Sequence, residues 1–238
     1  MTRFFDEIHK LDVGAVFAIQ PEHARHVSKV LRMRVGEAMI LCDGAGGDYT
    51  AEITSVKNDN VEVKIIAYTE NTAESLTKIT LYQSLPKLDK LEMIVQKCVE
   101  VGVWEIIPVS SEHSVPATIN SQRLERLRKI SESAACQSGR GIIPQIHTVT
   151  ALKNILPDDF DEGFVAYEKE HEYRLKQDDL PKGGRIGLFI GPEGGFSANE
   201  IKLLLGKGVR PFSLGRRILR TETAGIAALA VLFHETEA

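Results

Sequence analysis

At 238 residues, 43% hydrophobic, 26% charged and with a formal net charge of −4, the chain has the composition of a globular protein with room for two domains, which excludes a disordered or fibrous one. No apolar run approaches the roughly 18 residues of a membrane span and the amino terminus carries no long apolar leader, so a cytoplasmic protein without membrane contact is expected. Cys42, Cys98 and Cys136 are odd in number, far apart and without a CxxC pair, which argues against a disulfide framework or a metal site and for reduced core thiols.

Up to about residue 70 the hydrophobic pattern is mostly period two, with one short helix. After Pro21, a favourable first helical residue, Ala24, Val27 and Leu31 mark one apolar face. The other faces are basic. His23, Arg25, His26, Lys29, Arg32 and Arg34 fall between Glu22 and Glu37 with no acid among them. The overall charge gives no sign of nucleic acid, so this patch must carry any such reading; a solvated helix face with counter-charges elsewhere is the alternative. AMILCD (38–43), YTAEITSV (49–56) and VEVKIIAY (61–68) read as strands joined by turns over 44–48 and 57–60. Such short strands and tight turns suggest a small β-barrel. The glycines after Asp43 lead into a strand and not a helix, so they predict a hairpin turn and not a nucleotide loop.

The polar stretch 69–77 reads as a linker. Beyond it strands and helices alternate. ITLYQSL (79–85) is a strand, and Leu88, Leu91, Ile94, Val95, Cys98 and Val99 form a helical stripe that stops at Gly102. WEIIPVS (104–110) is a strand, and 121–138 is a helix with Leu124, Leu127, Ile130 and Ala134 on one face. FVAYE (164–168), IGLFI (186–190) and PFSLG (211–215) supply further strands. This alternation predicts an α/β fold with a mostly parallel sheet covered on both faces.

Parallel sheets bind ligands beyond the carboxyl ends of their strands. After 186–190 comes Gly191-Pro192-Glu193-Gly194-Gly195-Phe196, and Ser197 with Glu200 has the spacing of a capping box. The glycines permit close approach of backbone to a ligand. The loop lacks the Lys-Ser/Thr of a phosphate-binding motif, which disfavours a phosphate cradle; a plain strand-to-helix turn is the alternative. The next strand leads into Leu214-Gly215-Arg216-Arg217-Ile218-Leu219-Arg220-Thr221-Glu222-Thr223, then a helix of small and apolar residues over 224–233 that must be buried in the core or against a second subunit. Ile218 and Leu219 offer an apolar wall for a flat ligand, and the arginines offer cations for a phosphate or a developing negative charge. Alternatively the arginines cap carbonyls and pair with Glu193 or Glu222.

IGPEGGFSANEI (190–201) together with LGRRILRTETAGIAAL (214–229) closely resembles the two carboxy-terminal motifs of the bacterial 16S ribosomal RNA uracil-N3 methyltransferase family, a branch of the SPOUT superfamily. QKCVEVGV (96–103), AACQSGRGIIP (134–144), Val30-Leu31-Arg32 and Arg3-Phe4-Phe5 look like that family in matching order, so the likeness runs along essentially the whole chain. His113 stands where the family usually has arginine, and Leu127 where it usually has tryptophan. The resemblance implies an α/β fold whose carboxy-terminal SPOUT-type sheet, with helices on both faces, carries a trefoil knot (75–238), preceded by a small PUA-like β-barrel that binds RNA (1–70). It implies a homodimer that uses S-adenosyl-L-methionine to methylate N3 of one uridine of 16S ribosomal RNA in the small ribosomal subunit. Residues expected around the cofactor are Ile190, Gly191, Gly194, Gly195, Leu214, Gly215, Ile218, Leu219, Arg220 and Thr221. Arg220 is the expected catalytic cation, with Glu193 or Glu222 as proton acceptor, and Arg3, Arg25, Lys29, Arg32, Arg34 and Arg140 are expected at RNA. No metal is implied. Methylation of another RNA position or of ribose, and a non-catalytic RNA-binding adaptor, are the competing functions.

Overall fold

The computed structural model describes residues 1–237 except 7, 9, 10, 58, 59, 88, 89, 116, 117 and 182. Two compact units separate: Met1–Glu74 with Ala135–Ile143, and Ser75–Ala134 with Pro144–Ala238.

The first unit contains β1 (Arg3–Phe5), β2 (Val16–Ala18), α1 (Pro21–Arg25) running into one π-helical turn (His26–Val30), β3 (Ala38–Cys42), β4 (Gly47–Lys57) and β5 (Asn60–Glu70). They form a five-stranded sheet in the order β1-β3-β4-β5-β2, antiparallel except for the β1–β3 pair. Strands β3, β4 and β5 follow the period-two pattern: Tyr49, Ala51 and Ile53 on β4 and Val61, Val63 and Ile65 on β5 enter one core with Met39 and Leu41. At three residues each, β1 and β2 are too short for that pattern to reveal. The glycine run after Asp43 is a hairpin turn, in which Asp43 Oδ1 accepts from the amides of Ala45 at 2.7 Å and Gly47 at 2.8 Å. The turn expected over 57–60 includes residues 58 and 59, which lie outside the described residues. Ala24 and Val27 are fully buried, but Leu31 is 39% exposed. The helix ends at Val30 and the chain turns through Arg32 at φ 55°, so the apolar stripe stops before Leu31.

Residues 135–143 are bound into this unit by polar contacts. Arg140 is 3% exposed; its Nη2 and Nε donate to the two carboxylate oxygens of Glu74 at 2.6 and 3.1 Å, and the amide of Gly141 joins them at 3.1 Å. This is the two-pronged geometry in which arginine binds carboxylate most strongly. Asn71 Nδ2 donates to the Gly139 carbonyl at 3.0 Å and to Asp48 at 2.9 Å, and Arg3 pairs with the same aspartate. A Cβ on Gly141 would sit 2.9 Å from Asn71 and 3.1 Å from the Gly46 backbone, so only glycine fits. Arg3 and Arg140, expected at an RNA surface, are each engaged by a carboxylate of their own unit, Asp48 and Glu74. Of the cysteines, Cys42 and Cys98 are buried and Cys136 is only partly so.

The second unit contains β6 (Thr77–Ser84), α2 (Lys90–Val101), β7 (Glu105–Ser110), α3 (Ser121–Ser138, whose end from Ala135 belongs to the first unit), β8 (Gln145–Ile146), β9 (Thr150–Ala151), β10 (Glu162–Ala166), β11 (Gly184–Ile190), α4 (Ala198–Gly206), β12 (Val209–Phe212) and α5 (Thr221–Glu237). Its sheet is parallel throughout, in the order β12-β10-β11-β6-β7-β8, with β9 also on β7. Alternate side chains serve two faces. Tyr82, Val165 and Phe189 pack with Ile201 and Leu204 of α4, while Gln83 and Ile190, one residue on, meet Gly225 of α5. Helix α5 returns from the edge strand β12 to pack on α2, β11 and β6. The strands and α3 lie within a few residues of their predicted positions. Leu88, the first residue of the predicted α2 stripe, lies outside the described residues; Leu91, Ile94, Val95, Cys98 and Val99 are buried as the stripe requires. Among the described residues no helix is long and apolar enough to cross a membrane.

Candidate functional site

The loop after β11 is closely packed on itself. A Cβ on Gly191 would lie 3.3 Å from the Cα and carbonyl carbon of Gly195, and Gly195 holds φ +67° with its open side 3.3 Å from the Glu168 carboxylate. The predicted capping box ends the loop: Ser197 Oγ accepts from the Glu200 amide at 3.3 Å and Glu200 Oε2 from the Ser197 amide at 2.9 Å. Glu200 also accepts from the Glu112 amide through its other oxygen, at 2.8 Å. His113 Nδ1 lies 3.0 Å from the Gly195 carbonyl, the geometry of a ring N–H donor. The loop after β7 thus braces the glycine loop, and His113, the residue that departs from the family pattern, makes one of the contacts. Leu127, the other departure, is fully buried in the core.

The loop after β12 is joined to the first through Thr221. Its Oγ1 donates to the Gly191 carbonyl at 2.6 Å and accepts from Gln83 Nε2 at 3.0 Å. Gln83, at the carboxyl end of β6, is fully buried, and Gly225 leaves room for its Oε1, which a Cβ there would approach to 3.3 Å. One hydrogen-bonded chain therefore ties β6, the β11 loop and the start of α5.

Between the two loops lies a cavity of ≈ 490 Å³, within the range of small-molecule sites. Ile190, Gly191, Gly195, Leu214, Gly215, Ile218, Leu219, Arg220 and Thr221 line it. Gly194 does not; it faces His113, whose Cβ lies 3.1 Å from where a Cβ of Gly194 would be. The apolar wall also differs from expectation, because Ile218 is 87% exposed and reaches only the rim, while Ile190, Leu214 and Leu219 lie deeper.

Charged groups gather at one end. Lys90 Nζ lies 2.8 Å from Glu193 Oε1 and 3.4 Å from Glu222 Oε2, and the Lys87 amide donates to Glu193 at 3.1 Å. Burial pushes the Glu193 carboxyl up, but the Lys90 ammonium and the Lys87 amide outweigh it and hold the group below the usual carboxylate range. The ammonium is held above its ordinary value, chiefly by its hydrogen bond to Glu193. Glu193 is thus a committed anion. Glu222, with a side chain 12% exposed, meets the same ammonium more loosely, through Oε2 at 3.4 Å. Arg220, 4.0 Å from Glu222 Oε1, keeps a side chain 81% exposed.

Lys90, Gln83 and Glu168 belong to the site although no sequence motif marks them. All three follow the carboxyl ends of parallel strands or close them, β6 for Gln83 and Lys90 and β10 for Glu168, so the rule that selects the β11 and β12 loops selects these as well. In the first unit, Arg25, His26, Lys29, Arg32 and Arg34 are all exposed, interleaved with exposed Val30, Leu31 and Val35.

A parallel α/β sheet with a cavity built from the carboxyl-end loops of its strands defines a small-ligand-binding protein of the crevice-binding class. A family model described as an RNA methyltransferase domain matches residues 72–233, and one described as an RNA methyltransferase PUA domain matches residues 19–66. The chain is similar to ribosomal RNA small subunit methyltransferase E of Bacillus subtilis (strain 168), 34% identical over 250 residues that cover 100% of this chain and 98% of that protein. It is similar in structure to a Legionella pneumophila protein described as a methyltransferase and solved with bound SAM (34% identity, TM-score 0.86, covering 98% of this chain and 97% of that one). A ribosomal RNA small subunit methyltransferase E from Neisseria gonorrhoeae, solved bound to S-adenosyl methionine, is likewise similar (32% identity, TM-score 0.87, 98% and 97% covered). The chain belongs to the RNA methyltransferase family.

Proposed function

We propose that this protein methylates N3 of one uridine of 16S ribosomal RNA within the small ribosomal subunit, using S-adenosyl-L-methionine bound in the cavity between the β11 and β12 loops. The observation that carries the reading is that cavity. Two glycines open its backbone to a ligand, apolar side chains can hold an adenine, and a cation stands at its mouth, so the residues present fit the cofactor. When bound, S-adenosylmethionine supplies an electrophilic methyl group. Uracil N3 lies on the pairing edge and carries a proton, so the base must be unpaired and must lose that proton. Arg220 stabilises the anionic base. Glu193, held by Lys90 and the Lys87 amide, and Glu222, approached by Lys90 and Arg220, are the candidate proton acceptors.

Ribosomal RNA nucleosides from cells lacking the protein should lack one 3-methyluridine by mass analysis, and the wild-type chain should restore it. Loss of a different methylated nucleoside reassigns the target, and no loss with no cofactor binding leaves an RNA-binding adaptor.

The same proposal extends to the knot and the dimer. The passage of α5 back across β11 and β6, with Thr221 beneath the Gly191 carbonyl, supports a carboxy-terminal segment threaded through the loop at 191–197. The outer face of α5, with Ala230 exposed, Val231 38% exposed and Ile226 and Ala227 half-buried, supports burial against a second copy. The unit around residues 1–70 is assigned RNA contact through Arg25, Lys29, Arg32 and Arg34. Replacing these four by glutamine should flatten the dependence of log K on log salt by about 3, at roughly 0.7 per phosphate contact with unpaired RNA. An unchanged slope in a titration against small-subunit particles removes the patch from the interface.

A further inference from the structure

We propose that Lys90 is a positioning residue for methyl transfer: by bridging Glu193 and Glu222 it offsets carboxylate charge beside Arg220, so that a uracil anion can form there. This role rests on the uracil-N3 reading above and falls to a residue that no motif singles out.

The geometry is specific. Lys90 stands in the first turn of α2, yet its ammonium reaches a loop 103 residues away and the start of α5, touching Glu193 at 2.8 Å and Glu222 at 3.4 Å. Its side chain is 27% exposed and lines the cavity. Partly exposed ion pairs of this kind contribute little to stability. Here the consequence is a charge balance. Lys90 offsets the Glu193 and Glu222 carboxylates, while Arg216, Arg217 and Arg220 of the β12 loop and Glu168 of the β10 end also line the cavity; without Lys90 one cation is lost from this set, and Glu193 loses its ion-pair partner. Glu168, His171, Arg216 and Arg217 line the same cavity, so charged groups of both signs surround it. A base that must become an anion is disfavoured by each uncompensated negative charge nearby. Whichever group first receives the N3 proton, equilibrium with bulk water sets the pH at which the anion forms, and loss of a nearby cation moves that pH upward.

The test is the pH profile of single-turnover methylation of small-subunit particles by Lys90→Met, Lys90→Gln and Lys90→Arg, with calorimetric binding of S-adenosylmethionine measured in parallel. Lys90→Gln keeps a hydrogen-bond donor toward Glu193 without the charge, so it reports even where Lys90→Met does not fold. The charge-removing variants should shift the rising limb of the rate upward by about one pH unit, equivalent to a tenfold loss at a fixed pH on that limb. Cofactor binding should stay within a few-fold, and Lys90→Arg should restore the wild-type limb. An unshifted limb overturns the inference. So does a tenfold or larger loss of cofactor affinity with an unshifted limb, which would make Lys90 a direct contact of the donor. If the wild-type protein yields a product other than 3-methyluridine, the reading beneath the inference has failed; if it yields that product and only the variants' limb stays in place, the role of Lys90 alone has failed.

Discussion

Arg220→Ala should lower turnover by about 10²–10³-fold, the usual cost of removing one charge-stabilising donor from an active site, while S-adenosylmethionine binding changes by less than about tenfold. The asymmetry follows from where the side chain stands. Its guanidinium is 81% exposed and its carboxylate neighbour, Glu222, lies at 4.0 Å, so little in the resting fold depends on it. Its charge becomes useful only when an anionic base arrives, and an interaction made chiefly in the transition state affects turnover and not binding of the donor. Arg220→Lys should recover part of the rate, since a point charge replaces a planar fork. Calorimetry for the cofactor, paired with a single-turnover assay on small-subunit particles, separates the two quantities. Unchanged turnover would remove Arg220 from the role.

Gly195→Val should reduce S-adenosylmethionine affinity by more than about 100-fold, some 2.8 kcal/mol at 1.4 kcal/mol per tenfold, in a protein that stays folded. Two costs combine. At φ +67° a side chain occupies the left-handed region, which disfavours L-residues by about 1–2 kcal/mol and β-branched ones more strongly. The first carbon already approaches the carboxylate of Glu168, which lines the cavity, to 3.3 Å, so the branches beyond it crowd that wall. Gly206→Ala is the control, because it lies in α4 with nothing within 4 Å of an added Cβ. That change should leave binding intact and stabilise the helix by up to about 1 kcal/mol. Undiminished binding by the valine variant would falsify the placement of the cofactor at this loop.

Features encoded within a few residues of one another are legible in the amino-acid sequence alone. The alternation of β4 and β5, the stripe of α2, the Ser197–Glu200 cap and the hairpin at Asp43 all form as predicted, because each depends on a period or on a side chain reaching its own backbone neighbours. The glycine loop and the arginine loop are legible as a site for the same reason, since both lie directly after strands of a parallel sheet. Leu31 shows where that legibility ends: the residue continues the apolar pattern, but the backbone leaves the helix first.

The tertiary structure decided which distant groups meet. Arg140 and Glu74 are 66 residues apart and Lys90 and Glu193 are 103 apart, so no window of sequence contains either pair. The first pair ties Arg140 to a carboxylate of its own unit; the second commits one candidate proton acceptor to Lys90. Burial supplies the physical reason. A charge on an open surface is satisfied by water whatever the fold, whereas a charge taken from water must find a partner across the structure, and only the packing of elements distant in sequence determines which partner that is.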